Sequence, residues 1–162
     1  MSLSQQQLGF HYYPDTDHFN ETDLNAWLPV LKSAGASWLT IQANVASAIP
    51  QHFLNPIIEN GIQPIIHVVE PVGSVRMAQV YTTLKVYADV GAEFVIFFDR
   101  PNIQASWPSS SWSHEALVSR FVDILVPVLE AQIEMGMKPI LPPLEPGGDY
   151  WDTAFIETAL AL

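Results

Sequence analysis

The sequence predicts an α/β protein of parallel (β/α) repeats, a partial barrel with about five of the eight units that close such a fold. Three observations predict it. Gly35, Gly61, Gly91 and Gly136 stand at the ends of helical patterns, where a left-handed cap is needed and the lack of a Cβ removes its cost. A short apolar run follows each glycine: "ASWLTIQ", "IQPIIHVV", "AEFVIFF" and "MKPILPPL". Strand and helix patterns then alternate along the chain, which implies a parallel sheet with right-handed crossovers.

Residues 1–7, "MSLSQQQ", form a polar N-terminal tail, and residues 8–162 form the single repeat domain. The first strand is "LGFHYY". Leu24, Trp27, Leu28 and Leu31 then fall at helical spacing. The second helix carries Phe53, Leu54, Ile57 and Ile58, and the third Val80, Leu84 and Tyr87. The fourth carries Leu117, Phe121, Ile124, Leu125 and Val128, with Ser113 as its N-cap and Glu115 in its first turn. Pro29 and Pro127 lie inside two helical patterns and should kink or shorten them. A fifth helix begins near Asp152. The strands are apolar and β-branched or aromatic, as strands buried on both faces should be.

An open doubly wound sheet also fits the alternation. No G-x-G-x-x-G follows the first strand, however, and Gly9 lies inside it. A complete eight-unit barrel takes about 250 residues, against 162 here. The last residues, "FIETALAL", read as a helix that stops before its cap. An incomplete barrel is therefore expected. Its first and fifth strands would carry unpaired edges, which favour association with another copy.

Composition narrows the function classes. Hydrophobic residues make up 49% and charged ones 14%, which is a chain able to bury a core. The net charge of −11 repels phosphate backbones and anionic lipid, so neither nucleic acid nor a membrane is expected as a partner. There is no apolar run of about 18 residues, and the start lacks the basic and apolar regions of a signal peptide. Without cysteine, no disulfide, thiolate metal site or Cys nucleophile is available, and the compartment is left open.

In parallel α/β proteins chemistry gathers at the C-terminal ends of strands. Those ends carry His11, Tyr12, Tyr13 and Asp15; Gln42 and Asn44; His67 and Glu70; Asp99, Arg100 and Asn102; and Glu145, Asp149 and Tyr150. Trp107, Trp112 and Trp151 lie in the loops beyond. Carboxylates, imidazoles and amides bond hydroxyls, and aromatic faces stack on pyranose rings, so the rim suits a saccharide. His11, Tyr13, His67, Arg100, Asn102, Trp107 and Trp151 are the candidate binding residues. Plainer roles fit the same residues: a core histidine at His67, lid packing for the tryptophans, and an Asp99–Arg100 ion pair that staples its turn. His11, His67, Asp99 and Glu145 would be the ligands of any metal, but no H-x-H or H-E-x-x-H spacing supports one. No cofactor is expected, and no G-x-S-x-G marks a serine nucleophile.

The stretch "FFDRPNIQASW" resembles the fourth-strand motif of the large clan of retaining glycoside hydrolases on (β/α)8 barrels. That strand ends in Asn-Glu, often as Asn-Glu-Pro-Asn, before a short loop and an aromatic residue. Asp99 falls on the Asn, Arg100 on the Glu, and Pro101-Asn102 on the Pro-Asn. "PIIHVVEP" resembles the third strand, which places His67 on the rim, and "MGMKPILPPLEPGGDYWDTAFIETAL" resembles the fifth unit. The likeness spans about residues 8–162.

The resemblance implies a carbohydrate cleft and an acid/base at position 100. Arginine departs from it, because a guanidinium with a pKa above about 12 does not cycle a proton. The clan's nucleophile sits on strand seven, beyond the five units here. The resemblance thus implies a carbohydrate-binding segment that is inactive as it stands. Two alternatives remain open. One is an active glycosidase within a longer chain, with Asp99 and Glu145 as catalytic carboxylates roughly 5–10 Å from a partner. The other is a non-catalytic interaction domain of barrel ancestry.

Overall fold

A computed structural model describes residues 8–162; the tail read over residues 1–7 lies outside them. Five strands alternate with five α-helices: β1 (Leu8–His11), α1 (Glu21–Ser33), β2 (Ala36–Ala43), α2 (Gln51–Glu59), β3 (Gln63–Val68), α3 (Met77–Asp89), β4 (Phe94–Phe97), α4 (Leu117–Glu134), β5 (Lys138–Pro139) and α5 (Asp152–Ala161). All strand pairs are parallel. The sheet order is β1-β2-β3-β4-β5. A doubly wound sheet reverses its order at a switch point, and this one does not. Consecutive right-handed crossovers put every helix on the same face of the sheet. The arrangement is compatible with a stretch of barrel wall.

The predicted glycine caps are present. Gly35, Gly61, Gly91 and Gly136 have φ between 71° and 83°. At the end of α4 the Gly136 N–H bonds the Ile133 carbonyl at 2.9 Å, and the Met137 N–H bonds that of Gln132 at 2.9 Å. These two bonds satisfy carbonyls that the helix leaves over and turn the chain back into β5.

The core lies between the sheet and the helices. Along β2, Leu39, Ile41 and Ala43 are buried while Trp38, Thr40 and Gln42 between them are half-exposed. Along β3, Ile66 and Val68 are buried, and along β4, Val95 and Phe97. Phe53, Leu54 and Ile57 of α2, Val80, Leu84 and Tyr87 of α3, and Phe121, Leu125 and Val128 of α4 pack against them. Each full burial of such a side chain contributes about 1.5–3 kcal/mol.

Four expectations are corrected. Strands β2, β3 and β4 are buried on the helix face only, and the residues of β1 and β5 are exposed. On the other face Gly9, His11, Trp38, Thr40, Ile65, Phe94 and Ile140 line an open cavity. A run of apolar residues looks the same whether or not a second layer covers it. Ser113 does not cap α4, which begins four residues later behind Ala116 in a left-handed conformation (φ 51°). The Ser113 hydroxyl oxygen instead accepts the Glu115 N–H at 3.2 Å. Of the two effects expected of Pro29 and Pro127, a kink or a shortening, the shortening is absent: both helices run on past them. The carbonyls these prolines leave without a donor belong to Asn25 and Asp123, exposed residues whose backbone water can reach. Finally, β5 pairs over two residues only. Pro139, Pro142 and Pro143 lack the N–H that a longer ladder needs.

Candidate functional site

The site is built on the turn that leaves β4. Phe98 is buried with φ 70°, and Arg100 has φ 42°. Side-chain-bearing residues rarely adopt this region, and the turn is held in it by hydrogen bonds. The Phe98 N–H donates to the Val68 carbonyl at 3.0 Å. The Phe98 carbonyl accepts from His67 Nε2 at 2.7 Å, so this nitrogen carries the imidazole proton. The reversal turns the Asp99 and Arg100 side chains to the rim.

There Arg100 Nε donates to Asp99 Oδ2 at 2.7 Å and Nη1 to Glu145 Oε2 at 3.0 Å. One guanidinium bridges two carboxylates from different loops. The Asp99 hydrogen bond, and then that of Glu145, raises the Arg100 pKa above its already high ordinary value. His67 Nε2 also lies 3.9 Å from Asp99 Oδ1, too far for a hydrogen bond. His67, Asp99, Arg100 and Glu145 are therefore one contiguous group. Chemically it offers a fixed cation, carboxylate oxygens as hydroxyl acceptors, and no proton donor that turns over at Arg100. Among the described residues no three acidic, histidine or cysteine side chains gather closely enough to hold a metal ion.

The other sequence-derived residues divide by depth. Asn102 is fully buried beneath the turn at 0% exposure. Its Nδ2 donates to the carbonyls of Glu145 (2.8 Å) and Tyr150 (3.1 Å), and its Oδ1 accepts the Glu145 N–H (2.9 Å). Trp107 is 5% exposed and donates its indole N–H to the Pro101 carbonyl at 2.7 Å, with the Arg120 guanidinium over its ring. Trp151 is 64% exposed at the start of α5. It is the one tryptophan of the β5–α5 loop, the loop that also delivers Glu145.

His11 and Tyr13 belong to the other end of the sheet. His11 pairs in register with Thr40 on β2, three strands from the β4 turn, or about 14 Å at the usual spacing. Tyr13 lies in an aromatic cluster of the β1–α1 loop that the sequence did not single out. Its ring stacks on His18 with centroids 3.8 Å apart, and its hydroxyl oxygen accepts the Trp27 indole N–H at 3.1 Å. Asp15 Oδ1 lies 2.7 Å from His18 Nδ1, an exposed ion pair. That bond raises the His18 pKa and lowers the Asp15 pKa. Beside it, burial and then the Asp23 charge push the Tyr12 phenol up to about 12.

Two tethers at the rim were also missed. Glu70 Oε1 accepts the Val45 N–H at 3.0 Å, and Asp149 Oδ2 accepts the Gln104 N–H at 2.7 Å. No spacing in the sequence marks such carboxylate-to-backbone bonds.

Fold and site together define a parallel α/β protein with an ion-bridged polar turn at the ends of its central strands. The chain matches no protein-family model and no curated protein.

Proposed function

We propose that this chain is a glycoside-hydrolase-like carbohydrate-binding segment that holds a saccharide at the rim around Arg100 and does not cleave it. The observation that carries this reading is Arg100 itself, at the end of β4, bonded to Asp99 and Glu145 at once. Glycoside hydrolysis of the two-carboxylate kind needs one carboxyl that gives up a proton and takes it back. In the aligned turn that position holds a permanent cation. The carboxylate neighbours keep oxygen lone pairs for sugar hydroxyls, and Trp151 offers an open aromatic face for a pyranose ring.

The rest of the reading follows from the sheet. The resemblance would put the nucleophile on a seventh strand, and the five units here do not include one. Strands β1 and β5 each have one unpaired edge, and a second copy of the chain is the partner proposed for them. The negative surface disfavours nucleic acid and anionic membranes. No helix among the described residues is long and apolar enough to cross a membrane.

The test is a titration of the chain with neutral oligosaccharides, followed by intrinsic tryptophan fluorescence. Saturable binding that Trp151→Ala weakens several-fold is the expected result. No response to any oligosaccharide at millimolar concentration would instead favour a non-catalytic interaction domain.

A further inference from the structure

We infer that Asn102 is the positioning residue of this rim: it sets the β5–α5 loop so that Glu145 meets Arg100, while touching no ligand itself. Its complete burial removes it from any ligand's reach. Both side-chain polar atoms are engaged, and all three of their bonds go to two points of the same loop, its middle at Glu145 and its end at Tyr150. The Asn102 carbonyl adds a fourth bond, from the Tyr150 N–H at 2.9 Å.

Strand β5 contributes only two paired residues. Besides Asn102, the loop is held by the Gln104 N–H to Asp149, by Arg100 Nη1 to Glu145, and by the packing of Leu144 and Tyr150 against the core. Among the described residues, Asn102 alone bonds its backbone at both Glu145 and Tyr150. Gly148 completes the interlock from the loop side. A Cβ there would lie 2.5 Å from Asn102 Nδ2 and 2.9 Å from Ile103 Cγ2, so the loop reaches the amide only because this residue has no side chain. The chemistry selects an amide. Two carbonyls must be met by donors and one N–H by an acceptor, and no other side chain of this size and shape supplies both. An ionised carboxylate would face the Glu145 and Tyr150 carbonyls with like partial charge.

That last point supplies the test, made on the full chain. In Asn102→Asp the new carboxyl, once protonated in mild acid, donates to one carbonyl and still accepts the Glu145 N–H. Amide exchange at Glu145 and Tyr150 should then approach the unsubstituted protein. As pH rises and the buried carboxyl ionises, protection at these two amides should fall about tenfold or more. Asn102→Ala should lose that protection at every pH, and Gly148→Ala should reproduce the loss from the loop side, even if the Asn102 variants fold poorly. The ligand arm rests on the saccharide reading: oligosaccharide affinity in Asn102→Asp should follow the same pH profile. Protection that is unchanged in Gly148→Ala and pH-independent in Asn102→Asp would overturn the inference. So would an affinity that does not follow the loop. If the unsubstituted chain binds no oligosaccharide, the saccharide reading falls and the exchange profile alone decides the role of Asn102.

Discussion

At the end of β4, Phe98 and Arg100 take φ values of 70° and 42°, a region that costs a residue with a side chain about 1–2 kcal/mol. The His67 bond to the Phe98 carbonyl is one of the contacts that holds the chain there. His67→Ala leaves that carbonyl without this partner. It should lower unfolding stability by about 1–3 kcal/mol, seen as a lower denaturant midpoint at constant slope; an unmoved midpoint contradicts the role given to His67. Arg100→Ala should behave differently. Its side chain is 45% exposed, and exposed ion pairs contribute at most about 1 kcal/mol, so stability should change little while saccharide binding falls. The Asp15–His18 pair gives a pH prediction. The raised His18 pKa means a contribution fully present below the ordinary imidazole value and lost as pH rises through the raised one. The lowered Asp15 pKa means a contribution present above the ordinary carboxylate value and lost as pH falls through the lowered one. The pair is thus strongest between those limits. Proton NMR should give His18 a titration midpoint above the ordinary imidazole value, and Asp15→Asn should return it toward that value. Asp99, Arg100 and Glu145 were legible in the sequence because charged residues after an apolar run stand out. The positive φ values were not, since neither Phe nor Arg announces them. The depth of Asn102 was not either, because it depends on a loop that returns 43 residues later.

Among the elements, the caps were the clearest signal and the strand faces the least clear. Glycine at the end of each helical pattern reports a backbone angle directly, and the four observed angles follow from it. An apolar strand residue reports only that it avoids water. It does not say which face a layer covers, so Ile65 and Phe94 on the open face read like Ile66 and Val95 in the core. The start of α4 escaped for a local reason. Ser113 has the chemistry of a cap, but the chain runs on to a left-handed Ala116 before the helix begins. Two glycines allow the element-level account to be tested together. Gly136→Ala meets no atom within 4 Å, so its cost is conformational alone, about 1–2 kcal/mol for a Cβ at positive φ. Gly148→Ala lies at ordinary φ but collides with Asn102 and Ile103. Thermal unfolding of Gly136→Ala should fall with the rim intact, whereas Gly148→Ala should disturb the rim first. The reverse order contradicts the division between cap and interlock.

Over the whole molecule, a net charge of −11 acts against the proposed pairing of sheet edges. Salt screens exposed charges over a Debye length of about 10 Å at 0.1 M. Self-association measured by sedimentation should therefore strengthen as salt is raised. A monomer at high protein concentration in both low and high salt would remove the second copy as a partner. The consecutive strand order brings the His67, Asp99, Arg100 and Glu145 group to one end of the sheet and leaves His11 and Tyr13 on another part of it. The most direct measurement is product analysis on chain incubated with a saturating oligosaccharide. Binding with the oligosaccharide recovered intact is the predicted result. Shortened products whose formation survives Arg100→Ala would contradict the claim that a cation has replaced the proton donor.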